Sequence, residues 1–143
     1  MPLQEDLAMS RKIFITQSDK DKLLDIIYKA KYEDLKDNLE LKDLETEINR
    51  ATVTSVGQLP GNVITMNTQV VLLIEGIEEE FTLVYPSEAD ILQNKISVLS
   101  PIGTAILGYC EGNVIEWNVP DGIVLIEVKK VLFQPEALGF YNL

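Results

Sequence analysis

The 143-residue chain contains no histidine and a single cysteine, Cys110. Without imidazole there is no Ser-His or Cys-His nucleophile pair and no histidine metal ligand. One thiol supports neither an intramolecular disulfide nor a thiolate zinc site, and it suits a reducing compartment. Basic residues are also few: 12 Lys and Arg stand against 23 Asp and Glu, a formal net charge of −11. Binding to bare nucleic acid draws on Lys and Arg to release counterions from phosphates, so a free-standing DNA or RNA binder is disfavoured. No apolar run approaches a membrane span; the longest, residues 70–74 and 102–107, are far too short. Residues 1–12 place acids ahead of their basic pair and have no apolar h-region, so no secretory signal is expected. A soluble, cytoplasmic chain is the expectation.

What is present is enough apolar material for a core, at 46% of residues, in a length that suits one domain or one domain with a small appendage. Charge divides the chain. Residues 1–60 hold nine basic and twelve acidic residues, whereas residues 61–143 hold three and eleven together with most of the Gly and Pro. The first part reads as helical. Ser18 can cap a helix, with Asp21 three residues on, and Leu23, Ile27 and Ala30 recur at helical spacing, widened by Leu24, Ile26 and Tyr28. Asp37 or Asn38 can cap a second helix, whose Leu41, Leu44, Ile48 and Ala51 form one seam of a short coiled coil. Two such helices, joined near residues 31–37, predict an antiparallel hairpin over residues 13–57 with arms of about 13–15 residues, or roughly 20 Å. The alternative is that both helices pack flat on the remaining domain.

Gln58-Leu59-Pro60-Gly61 breaks the pattern. Beyond it, strand-like runs at residues 63–66, 69–75, 80–85, 95–98, 114–118 and 123–133 are punctuated by Gly76, Pro86, Gly112 and Pro120-Asp121-Gly122. Glu78-Glu79-Glu80 reads as a charged hairpin turn that guards an edge. Ser100-Pro101 sets a capping hydroxyl before a proline at the first helical position, predicting a helix of about two turns closed by Gly108. The class is therefore α+β: a short helical hairpin, then an antiparallel sheet domain with one short helix over residues 58–143.

The run from Val98 through Ser100-Pro101 to Gly108, then Glu111 to Trp117, then Pro120-Asp121-Gly122, resembles the C-terminal domain of the Gre transcription elongation factors. The residues Val63 to Asn67, Leu83 to Pro86, Trp117 and the ending Phe133 to Ala137 with Gly139 and Tyr141 extend the resemblance to the polymerase-binding, short-hairpin group that includes regulators of nucleoside diphosphate kinase. The resemblance implies an FKBP-like domain and a hairpin that enters the secondary channel of RNA polymerase. In the longer Gre factors, acidic residues at the hairpin tip help hold a second Mg²⁺ in the polymerase active site and stimulate cleavage of backtracked RNA. Carboxylates suit that role because Mg²⁺ is a hard cation that prefers oxygen ligands.

Glu33, Asp34, Asp37 and Glu40 surround the inferred turn and are the candidate tip acids; a solvated turn and a helix cap are their alternative reading. The resemblance also implies that Ser100 and Pro101, preceded here by Leu99, match the Ser-Pro loop that meets the channel rim in the longer Gre factors. That makes them the candidate polymerase-docking residues, with helix capping as the alternative or companion role. Trp117, Tyr85 and Phe133 are expected to be core or rim aromatics, and Cys110 an inert thiol. No cofactor, resident metal, membrane or small-molecule substrate is expected, and nucleic acid is reached only through the polymerase. Three functions compete at this point: a polymerase-binding regulator without cleavage activity, a Gre-like cleavage stimulator, and a stand-alone prolyl isomerase suggested by fold analogy alone. No catalytic constellation supports the third.

Overall fold

A computed structural model describes residues 13–34 and 39–139. Strand β1 (Phe14–Ile15) leads into helix α1 (Gln17–Asp34), which is followed by α2 (Leu39–Arg50) and β2 (Thr52–Val53). β1 and β2 pair in parallel, Phe14 with Thr52 and Ile15 with Val53, so the two ends of the hairpin are tied at its base. The arms differ in length. α1 has 18 residues and α2 has 12, about 27 Å and 18 Å of helix, against the equal arms the sequence pattern predicts.

The expected seams meet. Leu23, Ile27, Leu41, Leu44 and Ile48 are each no more than 3% exposed, with Ala30 and Ala51 packed at the margin. Burial of one such side chain stabilises by about 1.5–3 kcal/mol. Two details depart from the pattern. Thr16, not Ser18, caps α1: its hydroxyl accepts from the Asp19 N–H at 3.1 Å. Tyr28 does not widen the buried stripe; it is 66% exposed and stacks on Tyr32, with ring centroids 5.9 Å apart.

The second part is a five-stranded sheet of β3 (Gln69–Ile74), β4 (Ile77–Val84), β5 (Lys95–Ser97), β6 (Val114–Val119) and β7 (Gly122–Phe133), in the order β5-β4-β3-β7-β6. It is antiparallel except that β5 runs parallel to β4, because two 3₁₀ turns at Pro86–Glu88 and Ile91–Gln93 carry the chain back before β5 starts. Glu75 and Gly76, both at positive φ (51° and 81°), make the two-residue turn between β3 and β4. Glu78, Glu79 and Glu80 are therefore strand residues, not the turn. They lie on the stretch of β4 that β5, paired only from Thr82 to Val84, leaves as an edge. The run at residues 63–66 reduces to a single bridge between Val63 and Cys110. Its backbone bonds go instead to Tyr109 O and to the Gly108 N–H.

Helix α3 (Pro101–Ile106) packs on the inner face of the sheet, where Val70, Leu72, Ile115, Ile126 and Val128 are at most 4% exposed. One continuous core joins this face to the hairpin seam. Gly108 closes α3 at φ 85°, and a Cβ there would stand 2.9 Å from Ile13 Cβ, so only glycine lets β1 cross at that point. Among the described residues no helix is long and apolar enough to cross a membrane.

Candidate functional site

The Ser-Pro segment forms a rigid corner between β5 and α3. Ser100 sits at the N-cap of α3 in an extended conformation, and its hydroxyl accepts from the Gly103 N–H at 3.0 Å. The same hydroxyl donates to Ser97 O at 2.6 Å, while Ser97 Oγ accepts from the Leu99 N–H and Thr104 Oγ1 donates to Val98 O. Gly103 is obligatory here, since a Cβ would lie 2.1 Å from Ser97 O. The Ser100 proton is thus spent inside the corner. Pro101 is exposed and Leu99 half-buried, so the corner offers a partner the pyrrolidine ring and an aliphatic flank, held in place by Ser100.

The tip acids are placed only by backbone. Glu33 and Asp34 end α1 and Glu40 lies in the first turn of α2; Asp37 lies outside the described residues. Trp117, Tyr85 and Phe133 are half-buried rim residues as expected. Cys110 is also half-buried, and burial pushes its thiol pKa up, which leaves it protonated and unreactive.

One cluster has no precedent in the sequence pattern. Asp19, in the first turn of α1, is 6% exposed. Its Oδ2 accepts from the Met66 N–H and its Oδ1 from the Tyr85 hydroxyl, both at 3.3 Å. Beside it, Thr65 Oγ1 donates to Glu136 at 2.7 Å and lies 2.9 Å from Thr68 Oγ1. Burial first, then the nearby Glu136 charge, raise the Asp19 pKa to about 6, against the pull of the two hydrogen bonds and Lys22. Tyr85 is driven well above its usual value by burial and then by Asp19. At the other root of the hairpin, Arg50 Nη2 donates to the Tyr109 hydroxyl at 2.8 Å, and its guanidinium carbon lies 5.9 Å from that ring's centroid. Glu47 holds the same guanidinium at 3.0 Å.

The family model for the C-terminal region of the transcription elongation factors GreA and GreB matches residues 59–133, a little over half of the chain. The chain belongs to the GreA/GreB family. It is 38% identical over 103 residues to the regulator of nucleoside diphosphate kinase of Escherichia coli (strain K12), a match covering 70% of this chain and 76% of that one. It is 31% identical over 134 residues to the transcription elongation factor GreA of Brucella canis, covering 82% and 85%. A solved GreA/GreB elongation factor from Nitrosomonas europaea superposes with a TM-score of 0.67 at 33% identity, over 87% of this chain and all of that one. The hairpin-then-sheet order and the Ser-Pro corner therefore lie in a family fold. The sequence motifs located the corner; they gave no sign of the Asp19 and Arg50 contacts.

Proposed function

We propose that this GreA/GreB-family chain binds RNA polymerase at the rim of the secondary channel and regulates transcription without stimulating RNA cleavage. Residues 58–143 serve as the docking domain and residues 13–57 as the hairpin that enters the channel mouth. The observation that carries this reading is the preorganised Ser100-Pro101 corner within the family-matched region. Its geometry is fixed before a partner arrives, so docking loses little entropy there. The protein is not itself an enzyme on this reading, and it meets nucleic acid only through the polymerase.

Hairpin length argues against cleavage. An arm of 12 residues reaches about 18 Å, and a carboxylate that stops short contributes nothing, because Mg²⁺–oxygen bonds form only near about 2.1 Å. One observation favours the second reading, a Gre-like cleavage stimulator presenting Glu33, Asp34, Asp37 and Glu40. At 18 residues, α1 is longer than its sequence pattern predicts. Purified protein added to stalled, backtracked polymerase complexes separates the two. Displacement of a Gre cleavage factor with the transcript left intact is the expected result. Shortening of the transcript by this protein alone, abolished in Asp34→Ala or Asp37→Ala, would establish the second reading instead.

A further inference from the structure

Each helix of the hairpin brings one charged residue to a tyrosine of the sheet domain at its root. Asp19 of α1 accepts from the hydroxyl of Tyr85, immediately after β4, and Arg50 of α2 donates to that of Tyr109, just after α3. We propose that Asp19 and Arg50 are positioning residues whose paired contacts fix the direction of the hairpin relative to the sheet. The apolar seam holds the helices down but is non-directional, so it resists separation more than rotation. Hydrogen bonds depend steeply on angle, and two of them at separate roots define an orientation that neither defines alone.

Three further features agree. Asp19 is also bound to the Met66 N–H and Arg50 to Glu47, so neither side chain is free to follow a tilting helix. One side of α1 faces an open cleft of about 360 Å³, with Lys22, Asp25 and Ile26 across from Tyr85, Ser87 and Glu88. Packing on that side does not set the angle. The lever is also long: 15 residues of helix separate Asp19 from Asp34, so a 10° tilt at the root moves the tip by about 4 Å.

Two spin labels measure this directly, at Asp43→Cys on α2 and Glu116→Cys on β6, in a Cys110→Ala background, with distances read by pulsed dipolar EPR. Asp19→Ala and Arg50→Ala should each widen the distance distribution about twofold or shift its centre, while circular dichroism stays native. Asp19→Asn, which keeps an acceptor for the Met66 N–H, should restore the narrow distribution. Tyr85→Phe, the milder change, should give an intermediate width. Unchanged narrow distributions in both alanine variants would overturn the inference and leave these contacts as stabilising only. The consequence for docking rests on the function proposed above. If hairpin direction matters there, the alanine variants should lose about tenfold in affinity for core polymerase. Broadened distances with unchanged affinity would refute that coupling, whereas failure of the parent protein to bind polymerase would refute the proposed function and leave the distance test standing.

Discussion

Asp19→Asn should make the protein more stable at neutral pH. The Asp19 carboxyl titrates near 6 in the folded chain against 3.8 for an unperturbed one. A raised carboxylate pKa means the folded state holds its proton more tightly than the unfolded state does. The penalty is therefore absent below about pH 4, grows as pH rises from about 4 to 6, and is complete above that. At 1.36 kcal/mol per pKa unit it amounts to about 3 kcal/mol at pH 8. The groups facing Asp19 are Glu136, which opposes its charge, and Lys22, the Tyr85 hydroxyl and the Met66 N–H, which favour it. Asparagine mimics the protonated acid, keeping an acceptor for the Met66 N–H and losing the repulsion from Glu136. Urea unfolding of both proteins at matched pH values cancels the titration of every other group. The variant should be more stable by about 2–3 kcal/mol at pH 8, or roughly 5–10 °C in Tm, with the difference shrinking toward zero at pH 4. A difference that does not change with pH, or a variant less stable than the parent at pH 8, would show that Asp19 is not a buried, charge-penalised carboxylate.

Ser100→Ala should cost about 1 kcal/mol in denaturant unfolding through loss of the α3 cap. Pro101→Ala should leave stability within about 0.5 kcal/mol and yet weaken polymerase binding in a pull-down; native affinity in that variant would make the corner structural only. Gly103→Ala should destabilise by roughly 3 kcal/mol or more, since its Cβ would stand 2.1 Å from Ser97 O and the backbone must move. A thermal melt within a few degrees of the parent would contradict that geometry.

The sheet was largely legible because its signals are local. Gly76 and Pro120-Asp121-Gly122 punctuate the strands by residue type, although the β3–β4 turn itself falls at Glu75-Gly76, one residue inside the expected strand. Ser100-Pro101 with Gly108 brackets α3 within nine residues. The failures share a different cause: the deciding partner is distant in sequence. By type Ser18 is the better cap, and what accompanies the cap at Thr16 is Asp19, drawn inward to Met66 and Tyr85, 47 and 66 residues away. Tyr28 falls on the helical stripe by counting, but on the side of α1 that neither α2 nor the sheet covers. The glutamate run looked like a turn because three charges seldom sit in a strand, yet an edge that β5 does not reach can carry them in water, and Glu78 gains Lys129 at 2.8 Å. The tip acids were readable as a cluster only in sequence, for residues 35–38, Asp37 among them, lie outside the described residues.

The two predictions on Asp19 also separate stability from position. An ionised, buried carboxylate is a poor device for holding a fold together, and at neutral pH it costs this one about 3 kcal/mol. Hydrophobic seams already hold α1 and α2 in place, with Leu23, Leu44 and Ile48 fully buried. What the seams do not supply is direction, and on the function proposed above direction matters, because that reading has the chain meet the polymerase at two points, the Ser-Pro corner and the hairpin. A rigid link between the two raises the effective concentration of the second contact once the first has formed; a loose one dilutes it. Asp19→Asn should therefore gain stability and keep position, while Asp19→Ala should lose position whatever its melting temperature.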